Sequence, residues 1–259
     1  MLKAIAFDLW ETLITNTPEA SVAQKLVRIE RIEAILRQPR EKIDHAMHEQ
    51  WNRCQELYWS LDKDVSCRTQ IEHLFEVMEL EPLDDKSMQA IEEAYASAAI
   101  EVMPDLVGGA REVIDALRSR GYALGLISNT GRTPGSALRT ILDRLDIRDA
   151  FDAMVFSNEH GECKPQRSIF EALRAGLDVP FEEMLFVGDN LYVDVYGAMR
   201  CGMQAVHFVP RQRGTAVAPP VDHDHVIEPL ATIRDLRELL PVIDAFSAKD
   251  FEVSRTRRS

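Results

Sequence analysis

At 259 residues the chain is long enough for one large domain, or for a core with a smaller insert, and a chain of this size buries roughly three-quarters of its unfolded surface. Its 46% hydrophobic and 28% charged residues exclude a disordered polymer. A formal charge of −13 excludes nucleic acid as a partner unless a local basic stripe overrides the field.

The first apolar run, residues 4–9, reads as a strand. Over 18–100 the apolar residues recur at helical spacing: Val22, Leu26, Ile29, Ile32, Leu36, then Ile43, Met47, Trp51, Cys54, Tyr58, then Ile71, Leu74, Phe75, Met78, then Met88, Ile91, Tyr95, Ala98. This predicts four amphipathic helices, with Thr17-Pro18 as a cap and first-turn proline, and with breaks at Pro39 and at Glu81-Pro82. All twelve glycines lie at 108 or later, so the architecture changes there. Short apolar runs at 122–127, 151–156, 184–187, 205–209 and, weakly, 226–227 then alternate with helices, the signature of a parallel sheet covered on both faces.

The expected fold is therefore α/β: a Rossmann-like, doubly wound parallel sheet formed by 1–16 and 104–245, with a helical cap of 17–103 inserted after the first strand. Residues 246–259, with Arg255, Arg257 and Arg258, read as a tail. Ala218-Pro219-Pro220 and Asp222-His223-Asp224-His225 read as a loop and surface turn, since alternating ligands on an extended chain face opposite ways. Cys54, Cys67, Cys163 and Cys201 form no close pair, so neither a zinc knuckle nor a disulfide framework is supported. With no signal peptide or membrane-length apolar run, the expectation is a cytoplasmic protein with no membrane partner. Oligomeric state is not legible, because exposed and buried apolar faces look alike in sequence.

In doubly wound sheets ligands sit at the carboxyl ends of strands. Here those ends carry Asp8 through Thr12, then Ser128-Asn129-Thr130, then Lys164, then Gly188-Asp189-Asn190. Singly, each is an ordinary cap, turn or loop residue. Together they offer a carboxylate, hydroxyl and amide donors, one ammonium, and further carboxylates for a hard cation.

These four segments resemble the motifs of the haloacid dehalogenase superfamily of hydrolases: Phe-Asp8-Leu-Trp-Glu-Thr12-Leu, Ile-Ser128-Asn129-Thr, Cys-Lys164-Pro, and Val-Gly-Asp189-Asn-Leu-Tyr-Val-Asp194. The insert matches the position of that superfamily's cap, which closes over the site and selects a small-molecule substrate. The resemblance implies Asp8 as nucleophile toward phosphorus, giving an aspartyl-phosphate. It implies Mg²⁺ held by Asp8, the Trp10 main-chain carbonyl and Asp189, with Asp194 as ligand or support. Lys164 would neutralise the nucleophile, and Thr12, Ser128, Asn129 and Asn190 would contact substrate.

One position departs from the pattern. Phosphatases of the superfamily carry a second Asp two residues after the nucleophile, and here Trp10 stands where that general acid would protonate the leaving group. Glu11 is the nearest substitute, but alternation aims it away. Three readings follow: a phosphatase for leaving groups that need no proton, such as acyl or aryl phosphates; a metal-independent 2-haloacid dehalogenase, with Arg28 or Arg31 holding a carboxylate; or a non-catalytic binding module. Carbon–phosphorus hydrolases of the superfamily would need a cap lysine, for which Lys25, Lys42 and Lys63 are the candidates. Two acids beside Asp8 favour the metal-dependent phosphatase, because without a cation they cluster like charge.

Overall fold

The computed structural model describes residues 1–81, 83–210 and 226–256, the last eight of these by backbone alone. Strands β1 (Ala4–Phe7), β4 (Ala123–Ser128), β5 (Ala153–Phe156), β6 (Met184–Gly188), β7 (Gln204–Phe208) and β8 (Ala231–Ile233) form one six-stranded sheet in the order β5-β4-β1-β6-β7-β8. Every adjacent pair is parallel. The chain winds outward from β1 in both directions, so the crevice at the carboxyl ends of β1, β4 and β6 is the switch point.

Alternation along the strands builds two cores. Ile5, Phe7, Leu124, Leu126, Leu185 and Val187 face one side, and Ala4, Ala6, Ile127, Met184 and Phe186 the other. The first face packs on helices α5 (Ala110–Ser119), α6 (Gly135–Arg144) and α10 (Leu239–Thr256), the second on α8 (Arg167–Leu177) and α9 (Gly197–Cys201). Small residues on the second face bring α8 close: a Cβ on Gly125 would meet Leu173 Cδ1 at 2.9 Å.

The cap is four helices with a core of its own: α1 (Pro18–Leu36), α2 (Arg40–Leu57), α3 (Cys67–Met78) and α4 (Asp85–Glu101). Thr17 caps α1 by accepting from Ala20 N at 3.1 Å, and Ser66 and Asp84 do the same for α3 and α4. Ile29, Ile32, Ile43, Met47, Ile71, Leu74, Phe75, Met88, Ile91 and Tyr95 fill the centre. In α1 the apolar stripe and the buried face part company: Val22 and Leu26 are exposed, while Gln24 and Arg28 are buried.

Backbone pairing joins cap and core on two sides. Ile14–Thr15 (β2) pairs antiparallel with Asp105–Leu106 (β3), tying the two linkers into a ribbon that the sequence did not announce. On the far side the cap loop around Asp62 to Asp64 pairs with the core loop Gly161 to Cys163: Asp64 N donates to Gly161 O at 3.0 Å and Cys163 N to Asp62 O at 2.7 Å.

Two expectations differ from the structure. The sixth strand is Ala231–Ile233 rather than 226–227, because Val206 to Phe208 pair with 231–233, while Val226 is exposed. Residues 246–256, read as tail, continue α10, whose Val242, Ile243 and Phe246 recur on the face toward the core. The segments 218–220 and 222–225 lie outside the described residues, as do residues 257–259. Among the described residues no helix is long and apolar enough to cross a membrane, and the four cysteines are free.

Candidate active site

Asp8 follows β1 directly and is buried, with its main-chain N–H donating to Val187 O of the neighbouring strand. Its Oδ1 lies 2.5 Å from Lys164 Nζ, and its Oδ2 accepts from Thr12 Oγ1 at 3.1 Å. Lys164, itself almost wholly buried, is also 2.7 Å from Asp194 Oδ1 and donates to Ile127 O at 3.1 Å. Asp194 reaches back from the turn after β6, where its Oδ2 accepts from Asn190 N at 3.0 Å. Asp8, Asp189 and Asp194 each present an oxygen within 4.8 Å of the others.

Gly188 makes this convergence possible. A Cβ there would stand 2.4 Å from the Cβ, Cγ and Oδ2 of Asp194, so only glycine lets the chain end β6 with Asp194 folded against it.

Burial pushes the Asp8 carboxyl up; the Lys164 ammonium opposes this and the Asp194 carboxylate reinforces it, leaving Asp8 at about 6. For Lys164, burial alone would lower the ammonium, but Asp194 and Asp8 outweigh it and raise it above its ordinary value.

The donor set suits a hard cation. Three carboxylates face one ammonium, an excess of negative charge that a divalent ion relieves. Ligand oxygens on an octahedral Mg²⁺ lie about 3 Å apart when adjacent and about 4.2 Å when opposite, so sharing an ion needs only small movements here. Zinc's nitrogen and sulfur ligands are not among the three.

Other expected site residues have different occupations. The Asn129 amide is engaged at both ends by the Lys164 main chain, Oδ1 accepting from Lys164 N at 2.9 Å and Nδ2 donating to Lys164 O at 3.1 Å. Asn190 Oδ1 caps the next turn, accepting from Tyr192 N and Val193 N at 3.0 and 2.9 Å, so this oxygen holds the backbone. Ser128 is fully buried at the end of β4. Glu11 adopts a left-handed φ of 60°, accepts from Thr15 Oγ1, and lines a separate hollow with Leu106 and Val107. It is off the site, and Trp10 is on it.

Trp10 and Lys164 open into a cavity of about 610 Å³ between core and cap. Its cap side includes Gln24, Arg28, Trp51 and Trp59, and Arg132 enters from the loop after β4. Trp51 and Trp59 pack with ring centroids 4.4 Å apart. Arg31 does not line it, being paired with Glu101, nor do Lys42 and Lys63. Lys25 does, ion-paired at 2.5 Å to Asp44.

Asp64 is the buried joint between the two parts. Its Oδ1 accepts from Trp59 Nε1 and Val65 N, each at 2.8 Å, and its Oδ2 from Thr130 Oγ1 at 3.0 Å and Ser157 Oγ at 2.5 Å. Asp64, Trp51, Trp59 and Arg132 carried no local sequence signal as site residues; Arg132 alone stood near a motif, four positions after Ser128.

The sequence pattern described as haloacid dehalogenase-like hydrolase matches residues 2–202. The chain is similar to the glyceraldehyde 3-phosphate phosphatase of Pyrococcus abyssi (strain GE5 / Orsay), 32% identical over 208 residues, which cover 80% of this chain and 82% of the relative. The protein of that name from Pyrococcus furiosus is 29% identical over 254 residues, 97% of each chain. Among solved structures, the 2-haloacid dehalogenase of Pseudomonas syringae pv. Tomato DC3000 matches with a TM-score of 0.69 over 95% of this chain and 100% of the other. At 22% identity that likeness is one of fold alone. The parallel sheet, the insert after its first strand and the match over residues 2–202 carry one conclusion: this chain belongs to the haloacid dehalogenase-like hydrolase family.

Proposed function

We propose that the chain is a Mg²⁺-dependent phosphatase for small phosphorylated molecules, acting through an aspartyl-phosphate at Asp8. The observation that carries the reading is the convergence of the Asp8, Asp189 and Asp194 oxygens within 4.8 Å, beside the buried Lys164, which itself lines a cavity sized for a small molecule. The similarity to relatives named as phosphatases supports it.

Asp8, Asp189 and Asp194, with the Trp10 main-chain carbonyl, would hold the ion, which supplies positive charge between the nucleophile and the phosphoryl oxygens. A carboxylate oxygen of Asp8 attacks phosphorus, the phosphorus–oxygen bond to the leaving group breaks, and the leaving group departs with that electron pair. Water then attacks the phosphorus of the aspartyl-phosphate, releasing inorganic phosphate and restoring the Asp8 carboxylate. Thr12, donating to Asp8 Oδ2, fixes the carboxylate's orientation. Lys164 offsets negative charge on Asp8 and on the transferred oxygens. Asn129 positions Lys164 through its main chain.

With Trp10 in the general acid's place, leaving groups that depart unprotonated are favoured, so acyl and aryl phosphates should outrun alkyl ones. Turnover of p-nitrophenyl phosphate is expected, abolished by EDTA and in Asp8→Asn. Activity untouched by chelation would sink the metal-dependent reading. Trp10 also favours a second reading, displacement of halide from a 2-haloacid by Asp8; halide release from 2-chloropropionate is its direct assay.

A further inference from the structure

Arg28 is the exception in the cap's packing. It lies on the buried face of α1, only 5% exposed, yet it is not ion-paired among the described residues. Its Nε donates to Tyr95 O at 2.8 Å and its guanidinium lies 5.0 Å from the Tyr95 ring centroid. Arg132 repeats the pattern from the core side. One Nη donates to Met47 O at 3.0 Å, the guanidinium lies 4.2 Å from the Trp51 ring centroid, and its Nε is buried with no hydrogen-bond partner.

Both side chains line the cavity that Lys164 and Trp10 open into. The acids of that cavity wall are otherwise engaged: Asp64 accepts four hydrogen bonds from neutral donors, and Asp62 accepts from Gln166. Burial, with the like charge of Arg132 adding to it against the opposing Tyr95, pulls the Arg28 guanidinium below its ordinary range. Buried guanidinium groups are normally paired with an anion, and planar forks facing one space suit carboxylate or phosphate oxygens.

We propose that Arg28 and Arg132 form a subsite for a second anionic group, so that the preferred substrates are small phosphates whose far end carries a carboxylate or another phosphate. This rests on the phosphatase reading above and adds the substrate class. The pair contacts the cap residues Tyr95, Met47 and Trp51, whereas Asp8 and Lys164 hold the sheet end, so one molecule would bridge the two. Each guanidinium lies over an aromatic ring, Arg28 over Tyr95 and the half-buried Arg132 over Trp51.

The test is calorimetric binding to Asp8→Asn protein with Mg²⁺, which reads affinity without turnover. Two matched pairs serve as probes: phosphoglycolate against 2-hydroxyethyl phosphate, and 1,3-propanediol bisphosphate against 3-hydroxypropyl phosphate. An acid-ended ligand is expected to bind at least tenfold tighter than its neutral match, and the larger ratio names the tail. In Arg132→Gln, and in Arg28→Gln where thermal melts show it folded, the ratio should fall to within about threefold, with Arg132→Lys intermediate. Equal affinities within both pairs, or a preference that survives in Arg132→Gln, would overturn the proposal. The phosphatase reading fails separately, if wild-type protein leaves p-nitrophenyl phosphate intact, and the binding comparison still decides the subsite.

Discussion

The Asn129 amide clamps the main chain of Lys164 from both sides, accepting from its N–H at 2.9 Å and donating to its carbonyl at 3.1 Å. Two strand-end motifs, one after β4 and one after β5, are thereby locked together, and the lysine side chain starts from a fixed base toward Asp8 and Asp194. Replacing Asn129 by Ala strips partners from both Lys164 groups, at a cost of about 1 to 3 kcal/mol for each group left buried and unpaired. The expected outcome is a fall in kcat larger than any change in KM, with Asn129→Asp, which keeps the acceptor, closer to wild type. A rise in KM alone would make Asn129 a substrate contact instead.

Gly188→Ala tests the convergence of the acids without touching a charge. Its Cβ would collide with Asp194 at 2.4 Å, and backbone or Asp194 must move, so the Asp194 oxygen leaves the cluster. Overpacking of this kind costs about 1 to 3 kcal/mol. Mg²⁺ affinity should drop at least tenfold, read by calorimetry, while far-ultraviolet circular dichroism stays native. Unchanged metal affinity in a folded variant would remove Asp194 from the metal's support.

Metal binding should depend on pH through Asp8. Its carboxyl is raised to about 6 in the metal-free protein against 3.8 ordinarily, so between those values the folded chain keeps a proton that the unfolded chain has lost. This group's contribution therefore makes the metal-free fold less stable as pH rises through that window. A cation must displace the same proton, so apparent Mg²⁺ affinity should fall by up to about tenfold for each pH unit below about 6 and level off above it. The rise in Tm on adding Mg²⁺ should accordingly be larger at pH 7.5 than at pH 5, and a pH-independent rise would contradict the assignment of Asp8 as a ligand.

Asp64 governs how tightly cap and core are joined. Asp64→Ala would leave the Trp59 Nε1, Thr130 and Ser157 donors without their shared acceptor, a loss of about 3 kcal/mol or more. For a chain of this size that corresponds to a fall in Tm of about 6 to 12 °C. Limited proteolysis should become faster in the linkers around the β2–β3 ribbon. A variant as stable and as protease-resistant as wild type would show that the Asp64 joint does not hold the cap.

These residues mark where the sequence was legible. Asp8, Lys164, Asp189 and Asp194 stand in the segments that follow β1, β5 and β6, and the parallel sheet brings those strand ends together. The partners of the Asn129 and Asn190 amides are not legible in sequence because geometry sets them: a main chain 35 residues away in one case, a local turn in the other. Arg132, Trp51 and Asp64 were invisible because their importance arises only when the cap lies on the core. In α1 the spacing announced a helix and half of its buried face: Ile29 and Ile32 of the stripe are buried, while Val22 and Leu26 are exposed and Gln24 and Arg28 turn inward instead. Periodicity fixes the element, and long-range packing decides which side turns inward.

Trp10 is the position from which substrate chemistry can be changed deliberately. It lines the cavity beside Lys164 and packs partly on the core, while Glu11, the nearest acid in sequence, faces the other hollow and cannot take its place. Trp10→Asp puts a carboxyl where protonation of the leaving oxygen is needed. The benefit is confined to poor leaving groups, because a phenolate or acyl anion departs without a proton. The ratio of kcat/KM for an alkyl phosphate to that for p-nitrophenyl phosphate should therefore rise about 10- to 100-fold, part of the range that a positioned general acid typically supplies. Loss of the indole opens space and lowers stability, so the comparison must be a ratio within one variant rather than a rate between two. A folded Trp10→Asp protein with the wild-type ratio would mean that protonation never limited the reaction and that the indole is there to shape the cavity.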